Sequence, residues 1–458
     1  MHTSFDPSAF SAADSSANAA DEEVLDLLGV GLGPFNLGLA ALCEPLVDRG
    51  ELTAAFFDQR EEFCWHPGMM IPGATIQVPF LADLVTMADP TSAYSFLNYC
   101  KLQGRIHQFY IKEDFNPLRE EYSDYCAWVA GQLSTLEWNS TVADVEREGQ
   151  YWVATIATPA GTRRVKARHI VSGIGTRPFI PAGLQAPEGT SNIWHSADYL
   201  EHKAEILAAD SVTIIGSGQS AAEIYADLME PAAYRGSRLD WFTRSPRFFP
   251  MEYTKLTLEM TSPEYADFFH GLDMKTRDHR NREQRNLYKG ISGDLINEIY
   301  DTYYRLSITK NLPQPFDSTL RAGWSASLVP QDSAALGANA GQPIRLHLTH
   351  EDTGERLTHQ TSVLILATGY KAPDFPGYLE SARPHIQFDA HGRLAVRPYF
   401  SIDNSGTIFV QNAEEHTHSL TAPDLGMGPW RNSIIIQRIT GKEYYPIERS
   451  IAFQSFGA

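Results

Sequence analysis

The chain has 458 residues, 43% of them hydrophobic and 20% charged, which sets two or three domains and a balance ordinary for a globular enzyme. A net charge of −19, from 37 basic and 56 acidic side chains, excludes nucleic acid as the main partner, because phosphate binding needs a basic footprint. No run of about 18 apolar residues exists, which excludes a membrane span.

The acidic balance suits a cationic substrate steered by the field, or solubility alone. Met1 to Glu23 is rich in Ala, Ser and Asp and lacks both a basic and an apolar region, so residues 1–23 read as a disordered tail and not a secretory signal. Cys43, Cys64, Cys100 and Cys126 are scattered, with neither a C-x-x-C pair nor a zinc spacing. They read as free thiols of a reducing cytoplasm, and no metal is expected.

The apolar run from Val24 to Leu28 predicts a buried parallel strand, followed by the turn Gly29-Val30-Gly31-Leu32-Gly33-Pro34, a helix from Asn36 to Leu46, and a second strand over Ala54–Asp58. Tyr151–Ile156 and Arg164–Val171 predict a β-meander. The first plan then recurs: strand Val212–Ile215, turn Gly216-Ser217-Gly218-Gln219-Ser220, and strand Arg238–Thr243. From Pro250 to Ile308 the chain turns polar and aromatic, with helical spacing at Leu295, Ile296, Ile299, Tyr300 and Tyr303. A last strand, Val363–Ala367, ends at Thr368-Gly369-Tyr370.

Glycines at Gly29 and Gly31 let the backbone turn tightly and approach a pyrophosphate, which the following helix meets with free N–H groups. Gly33 and Pro34 start that helix, and Pro34 stands where a third glycine is usual. Asp58 suits the ribose hydroxyls, or is a solvated turn residue. In the second unit Gly216, Gly218 and Ser220 repeat the cradle, but Arg244 stands where the acid would be, with Arg247 close by. A guanidinium there suits the 2′-phosphate of NADPH, or is a surface arginine. Two dinucleotide units imply one bound and one exchanging cofactor, FAD and NADPH. The fold reads as α/β: two Rossmann-like dinucleotide-binding domains with a small, mainly helical substrate-binding insertion. The FAD domain opens over 24–205, the NADPH domain takes 206–249 and 309–362, the insertion 250–308, and 363–458 returns to the FAD domain.

Trp65-His66-Pro67-Gly68-Met69, Gln77-Val78-Pro79-Phe80-Leu81, Asp89-Pro90-Thr91-Ser92, Gly218-Gln219-Ser220-Ala221-Ala222-Glu223 and Ala367-Thr368-Gly369-Tyr370 resemble the N-hydroxylating flavin monooxygenases of hydroxamate siderophore biosynthesis, the lysine/ornithine N-monooxygenase family. The resemblance runs from about Val24 to about Gly441. It implies that NADPH reduces FAD, that O₂ adds at the flavin C4a, and that the resulting hydroperoxide passes its distal oxygen to an uncharged amine. It also implies that Trp65, His66 and Gln77 line the flavin, that Gln219, Ser220 and Arg244 hold NADPH, and that Thr368 and Gly369 belong to the cofactor site. Arg119 would lie near flavin and nicotinamide, Asn286 and Tyr288 near nicotinamide and substrate, and Ser433 on the substrate side; Gln77, Asn286 and Arg119 form the catalytic set. Plainer readings stand beside these: Trp65, Phe80 and Phe96 as core aromatics, Gln77 as a turn cap, His66 as a positioning residue, and Lys275–Arg280 as a solvated helix face.

In the block Phe80-Leu81-Ala82-Asp83-Leu84, ornithine hydroxylases of the resembled family carry a lysine at the Ala82 position, where it pairs with the amino-acid carboxylate. Without it a buried carboxylate loses its partner. A diamine ends in a cation, which a lysine about 4 Å away would repel by ~4 kcal/mol at an effective dielectric of ~20. The branch resembled is therefore the one acting on putrescine or cadaverine. Lys255 is the counter-signal, since it could restore carboxylate binding and make L-lysine or L-ornithine the substrate. A ketone or sulfur monooxygenase and a redox-sensing flavoprotein are the competing classes. Expected partners are the diamine and O₂, a homo-oligomer (dimer or tetramer), and a downstream acyltransferase or siderophore synthetase, all in the cytoplasm.

Overall fold

The computed structural model describes residues 24–186, 190–329 and 343–457; the tail expected over 1–23 lies outside them. β1 (Leu25–Val30) and β2 (Ala54–Phe57) form as the apolar runs require, joined by α1 (Pro34–Asp48) with Pro34 in its first turn. Neighbouring Leu27 and Leu28 join cores on opposite faces of β1, and neither is exposed, so the strand is covered on both sides as parallel strands are. The sheet runs β3 (Leu136–Glu137), β2, β1, β6 (Gly161–Ser172), β5 (Tyr151–Thr158), β4 (Thr141–Glu148), with β17 (Ile408–Val410) also on β6. β4 to β6 are the expected antiparallel meander. One face is covered by α1, α2 (Phe96–Leu102), α3 (Ile106–Lys112) and α4 (Arg119–Ala130), whose Phe96, Phe109, Tyr122 and Tyr125 are buried there.

The second sheet is parallel throughout: β11 (Leu320–Ala322), β10 (Arg238–Thr243), β9 (Ser211–Ile215), β15 (Val363–Leu366), β8 (Ile193–His195). α5 (Lys203–Ala208) and α6 (Gln219–Arg235) bury their apolar sides on one face. A meander of β12 (Trp324–Leu328), β13 (Ile344–His350) and β14 (Arg356–Thr361) covers the other. The strand at 363 was assigned to the first domain's return; its backbone pairs on both sides within the second sheet, so the return begins after it. The segment 193–195 likewise belongs to the second unit and not to 24–205. The chain crosses between the units on β7 (Arg177–Pro178) and β16 (Tyr370–Lys371), which pair with each other.

The stretch from Pro250 to Ile308 is helical as expected: α7 (Lys255–Leu258), α8 (Pro263–Gly271), α9 (Met274–Lys289) and α10 (Gly293–Ile308). α10 lays Leu295, Ile296, Ile299 and Tyr303 on the second unit, while Tyr300, expected on that face, is 72% exposed. α9 faces the first unit's returning chain; Asp278, expected in a solvated tract, pairs with Arg393 at 2.8 Å. The helix Met427–Thr440 packs its isoleucines onto α1 and completes the first core.

Gly29 sits inside β1 opposite Phe56, and a side-chain carbon there would lie 2.0 Å from the Phe56 ring. Gly29→Ala should therefore lower stability by about 1–3 kcal/mol through overpacking and loosen the adjoining turn. Thermal unfolding and flavin content of the purified variant check this, and Phe56→Leu in the same chain should recover part of the loss.

Candidate active site

Both glycine turns sit at the carboxyl ends of the central strands β1 and β9, where the strand order reverses on either side. Gly31 has φ +84°, the left-handed region open to glycine. Gly33 precedes α1, no side chain caps that helix, and nothing lies within 4 Å of where a Gly33 side chain would point. Free N–H groups thus face open space, which fits a pyrophosphate. Nearby, Asn432 Oδ1 and Gln411 Oε1 are buried without hydrogen-bond partners, although Gln411 Nε2 donates to Asn36 Oδ1 at 2.7 Å. Orphaned acceptors of this kind suit a polar cofactor ring.

Two sequence assignments change here. Gly29 contacts Phe56 and serves strand packing, not phosphate approach. Asp58 is buried, and its acceptor positions are taken by Leu32 N–H at 2.7 Å and by the Arg60 N–H and guanidinium. Burial pushes its carboxyl up, but the bonds to Arg60 and Leu32 outweigh this and hold it below the usual carboxylate range. Asp58 therefore fixes the glycine turn from behind.

The Trp-His-Pro-Gly-Met block lies where the units meet. Gly68 is needed there, because a side-chain carbon would fall 1.7 Å from the Ala197 carbonyl of the second unit. His66 takes the left-handed conformation at φ +48° and sets its ring 5.2 Å from Tyr370. The residue is exposed, yet the surrounding protein, and then the Arg119 charge, push its pKa down to about 4. A neutral ring fits positioning, not proton transfer as a cation. Trp65 packs on Tyr122 with ring centres 5.3 Å apart.

Arg119 opens α4 and makes a two-pronged ion pair with Glu223 of α6, at 2.8 and 2.7 Å, while also donating to the Met69 carbonyl at 2.7 Å. The Arg119 and Glu223 side chains are 13% and 5% exposed. Gln219 donates to the same carboxylate at 3.1 Å and accepts from Ser292 N–H at 2.8 Å, so it ties in α10. Glu223 closes the Gly-Gln-Ser-Ala-Ala-Glu block one helical turn after Gln219; that spacing was the available signal for a partner the sequence reading did not assign. Gln77 Nε2 donates to Thr75, and its carbonyl accepts from Tyr253 of the insertion at 2.9 Å, closing the first unit onto the insertion.

In the second unit α6 has no side-chain cap and no acid in its first turn, so its N-terminus is free to face phosphate. Gly216 passes tightly beneath Ala367, and Gly218 lies under the Lys289 carbonyl, where the insertion roofs the turn. Arg244 follows β10, is exposed, and has no partner among the described residues. Thr368 and Gly369 hydrogen-bond with Phe179, so they secure the crossing between units.

The substrate-side residues are not all gathered. Tyr288 bonds the Glu415 carboxylate, joined by Lys289 at 2.9 Å; burial and then Glu415 push its phenol up. It anchors α9. Asn286 stays half-buried and unpartnered on α9. The Ser433 hydroxyl donates to Pro429 O at 3.0 Å and is 3% exposed, so it satisfies its own helix and does not face a substrate. Lys255 is exposed on α7, without a partner among the described residues. Ala82 is 6% exposed.

A family model described as L-lysine 6-monooxygenase/L-ornithine 5-monooxygenase matches residues 23–372. The putrescine N-hydroxylase of Shewanella oneidensis is 44% identical over 440 residues, 95% of this chain and 85% of that protein. The FAD-bound crystal structure of DfoA, the cadaverine monooxygenase of Erwinia amylovora, superposes with a TM-score of 0.89 at 42% identity, over 95% of this chain and 99% of that one. The ornithine N-hydroxylase KtzI of Kutzneria, with reduced FAD, NADP⁺ and L-ornithine, gives 0.80 at 28%, over 91% and 99%.

Arg119→Met should leave Glu223 buried and unpaired, at a cost of about 3–5 kcal/mol. Urea unfolding should show that loss, and Arg119→Met/Glu223→Gln should recover most of it; equal losses in single and double variants would mean the pair does not hold the units. Arg244→Ala should raise KM for NADPH by roughly 10- to 100-fold, the worth of one charged hydrogen bond, and leave KM for NADH little changed. An unaltered NADPH/NADH preference in steady-state assays would remove Arg244 from the 2′-phosphate.

Proposed function

The chain belongs to the L-lysine 6-monooxygenase/L-ornithine 5-monooxygenase family, and from that premise we propose that it N-hydroxylates a primary aliphatic diamine, putrescine or cadaverine, with FAD, NADPH and O₂, for hydroxamate siderophore biosynthesis. The observation that carries the substrate is the buried methyl of Ala82, where the ornithine enzymes place a lysine. Relatives above 40% identity are named for putrescine and cadaverine, the ornithine enzyme stands at 28%, and Lys255 lies exposed on α7 with no ion-pair partner among the described residues.

The overall change is RNH₂ + O₂ + NADPH + H⁺ giving RNHOH + H₂O + NADP⁺. FAD, when bound, carries electrons from NADPH to O₂ and supplies the oxygen-transfer chemistry. The protein's part is binding and order. The Gly31–Gly33 turn and the start of α1 would take the FAD pyrophosphate, with Asp58 holding the turn through Leu32. Gly218, Ser220 and Arg244 would take NADPH. The Arg119–Glu223 pair fixes one nucleotide turn against the other, and the Gln77–Tyr253 bond ties the insertion to the first unit. The product is the nucleophile that an acyltransferase or siderophore synthetase would convert to a hydroxamate. NADPH supply and four unpaired cysteines fit a cytoplasmic setting.

The nitrogen to be oxidised must be neutral, because an ammonium has no lone pair. Turnover should rise with pH toward the amine's own titration, near ~10.4 for a free alkylamine. The kcat/KM for putrescine or cadaverine, read as hydroxylamine formed per NADPH oxidised, should exceed that for ornithine and lysine by about 100-fold, the cost of burying an unpaired carboxylate. A preference for either amino acid would overturn the diamine assignment.

A further inference from the structure

A diamine held by the site just described has a second ammonium, and the structure offers it a partner. The loops carrying Ala82 and Gly426 meet: a side-chain carbon at Gly426 would lie 3.6 Å from the Ala82 methyl and 3.1 Å from Asp424 Oδ1. Leu425, next to Asp424 in the chain, lines a small cavity together with Pro34 and Phe35, at the opening of α1, and with Leu84 and Asn432. Asp424 thus lies one residue from a cavity at the opening of α1, and close to the Ala82 position, where a lysine would bind an amino-acid carboxylate.

Asp424 also differs from the other withdrawn carboxylates. Asp58 pairs with Arg60, Glu223 with Arg119, and Glu414 with Arg431. Asp83, without a cation, accepts from Val85, Thr86 and Phe96. Asp424 accepts from Met427 N–H at 3.0 Å and has no ion-pair partner among the described residues. Arg431 forms no ion pair with Asp424 among the described residues: it pairs with Glu414 at 3.2 Å and donates to the Thr421 and Ala422 carbonyls at 2.8 Å, although its Nη1 is buried without a hydrogen-bond partner and its charge reaches Asp424. Burial pushes the Asp424 carboxyl up, against the pull of the Met427 and Gly426 N–H groups and of the Arg431 charge. A carboxylate so placed gains from an incoming cation.

We propose that Asp424 binds the unreacting ammonium of the diamine and so sets both the requirement for a second amine and the chain length accepted; this rests on the diamine reading above. Ala82 and Asp424 then exchange the sign of the site: a cation beside the substrate's far end in the amino-acid enzymes, an anion here.

Steady-state kinetics of the wild type, Asp424→Asn and Asp424→Glu with putrescine, cadaverine and n-pentylamine test it, with bound FAD per chain as the check on folding. Asp424→Asn keeps an oxygen for Met427 N–H. It should lower kcat/KM for both diamines roughly 10- to 100-fold, mainly through KM, and bring their ratio to n-pentylamine toward one. Asp424→Glu, which carries the charge one methylene further from its backbone, should shift preference from cadaverine toward putrescine. A wild-type diamine-to-monoamine ratio in Asp424→Asn would overturn the proposal. If that variant binds no FAD, unchanged length preference in Asp424→Glu overturns it instead. A wild type that prefers lysine or ornithine sinks the diamine reading itself, and this inference with it.

Discussion

One buried ion pair joins the two nucleotide-binding units close to both cradles. Arg119 begins a helix of the first unit, Glu223 lies in the first turns of the helix that opens the second cradle, and their forked contact at 2.7–2.8 Å is largely shut off from water. Such a pair is weak as a source of stability, since both charges give up hydration. Its strength is direction, because a planar guanidinium meets a carboxylate squarely in few geometries. Around it everything else is arranged. Arg119 also grips the Met69 carbonyl, which ends the block carrying Trp65 and His66. Gln219 leans on the same carboxylate and fastens the insertion.

The glycine-rich turns look alike in sequence and divide their labour in space. Gly29 makes room for Phe56, Gly31 supplies the left-handed bend, and Gly33 leaves open space ahead of the helix. Gly216 lets β15 close in through Ala367. One motif letter therefore stands for core packing, backbone conformation or ligand access, and only three-dimensional neighbours tell them apart.

That distinction marks how much the sequence made legible. Both strand–turn–helix units, the meander and the helical insertion were readable, because burial of apolar runs and helix starts depend on neighbours within a few residues. Motif position singled out Arg119 and Arg244; the first is spent on Glu223, and the second stands exposed after β10. What escaped was pairing across long separations. Nothing local to Asp58 announces the Leu32 N–H, 26 residues back, as its partner, and nothing local to Tyr288 announces Glu415, 127 residues on. Ser433 sits in a matching motif, yet a backbone carbonyl one turn earlier claims its hydroxyl. The strand at 363 was seen as a strand but given to the wrong sheet, since an apolar run says that it is buried and not between which neighbours.

The paired crossings at Arg177–Pro178 and Tyr370–Lys371 make the second unit an insert within the first, entered and left at one spot. Synthesis must then follow an order. When β1, β2 and β6 have left the ribosome, α1 still lacks the helix Met427–Thr440 that packs on it, and β6 lacks β17. The second unit, contiguous in the chain, can fold meanwhile. The first closes only after the helix Met427–Thr440 arrives with its isoleucines. During that interval the flavin cradle is half built, so cofactor capture belongs to the end of translation, and a chaperone that shelters the exposed face of α1 would act on the nascent enzyme throughout.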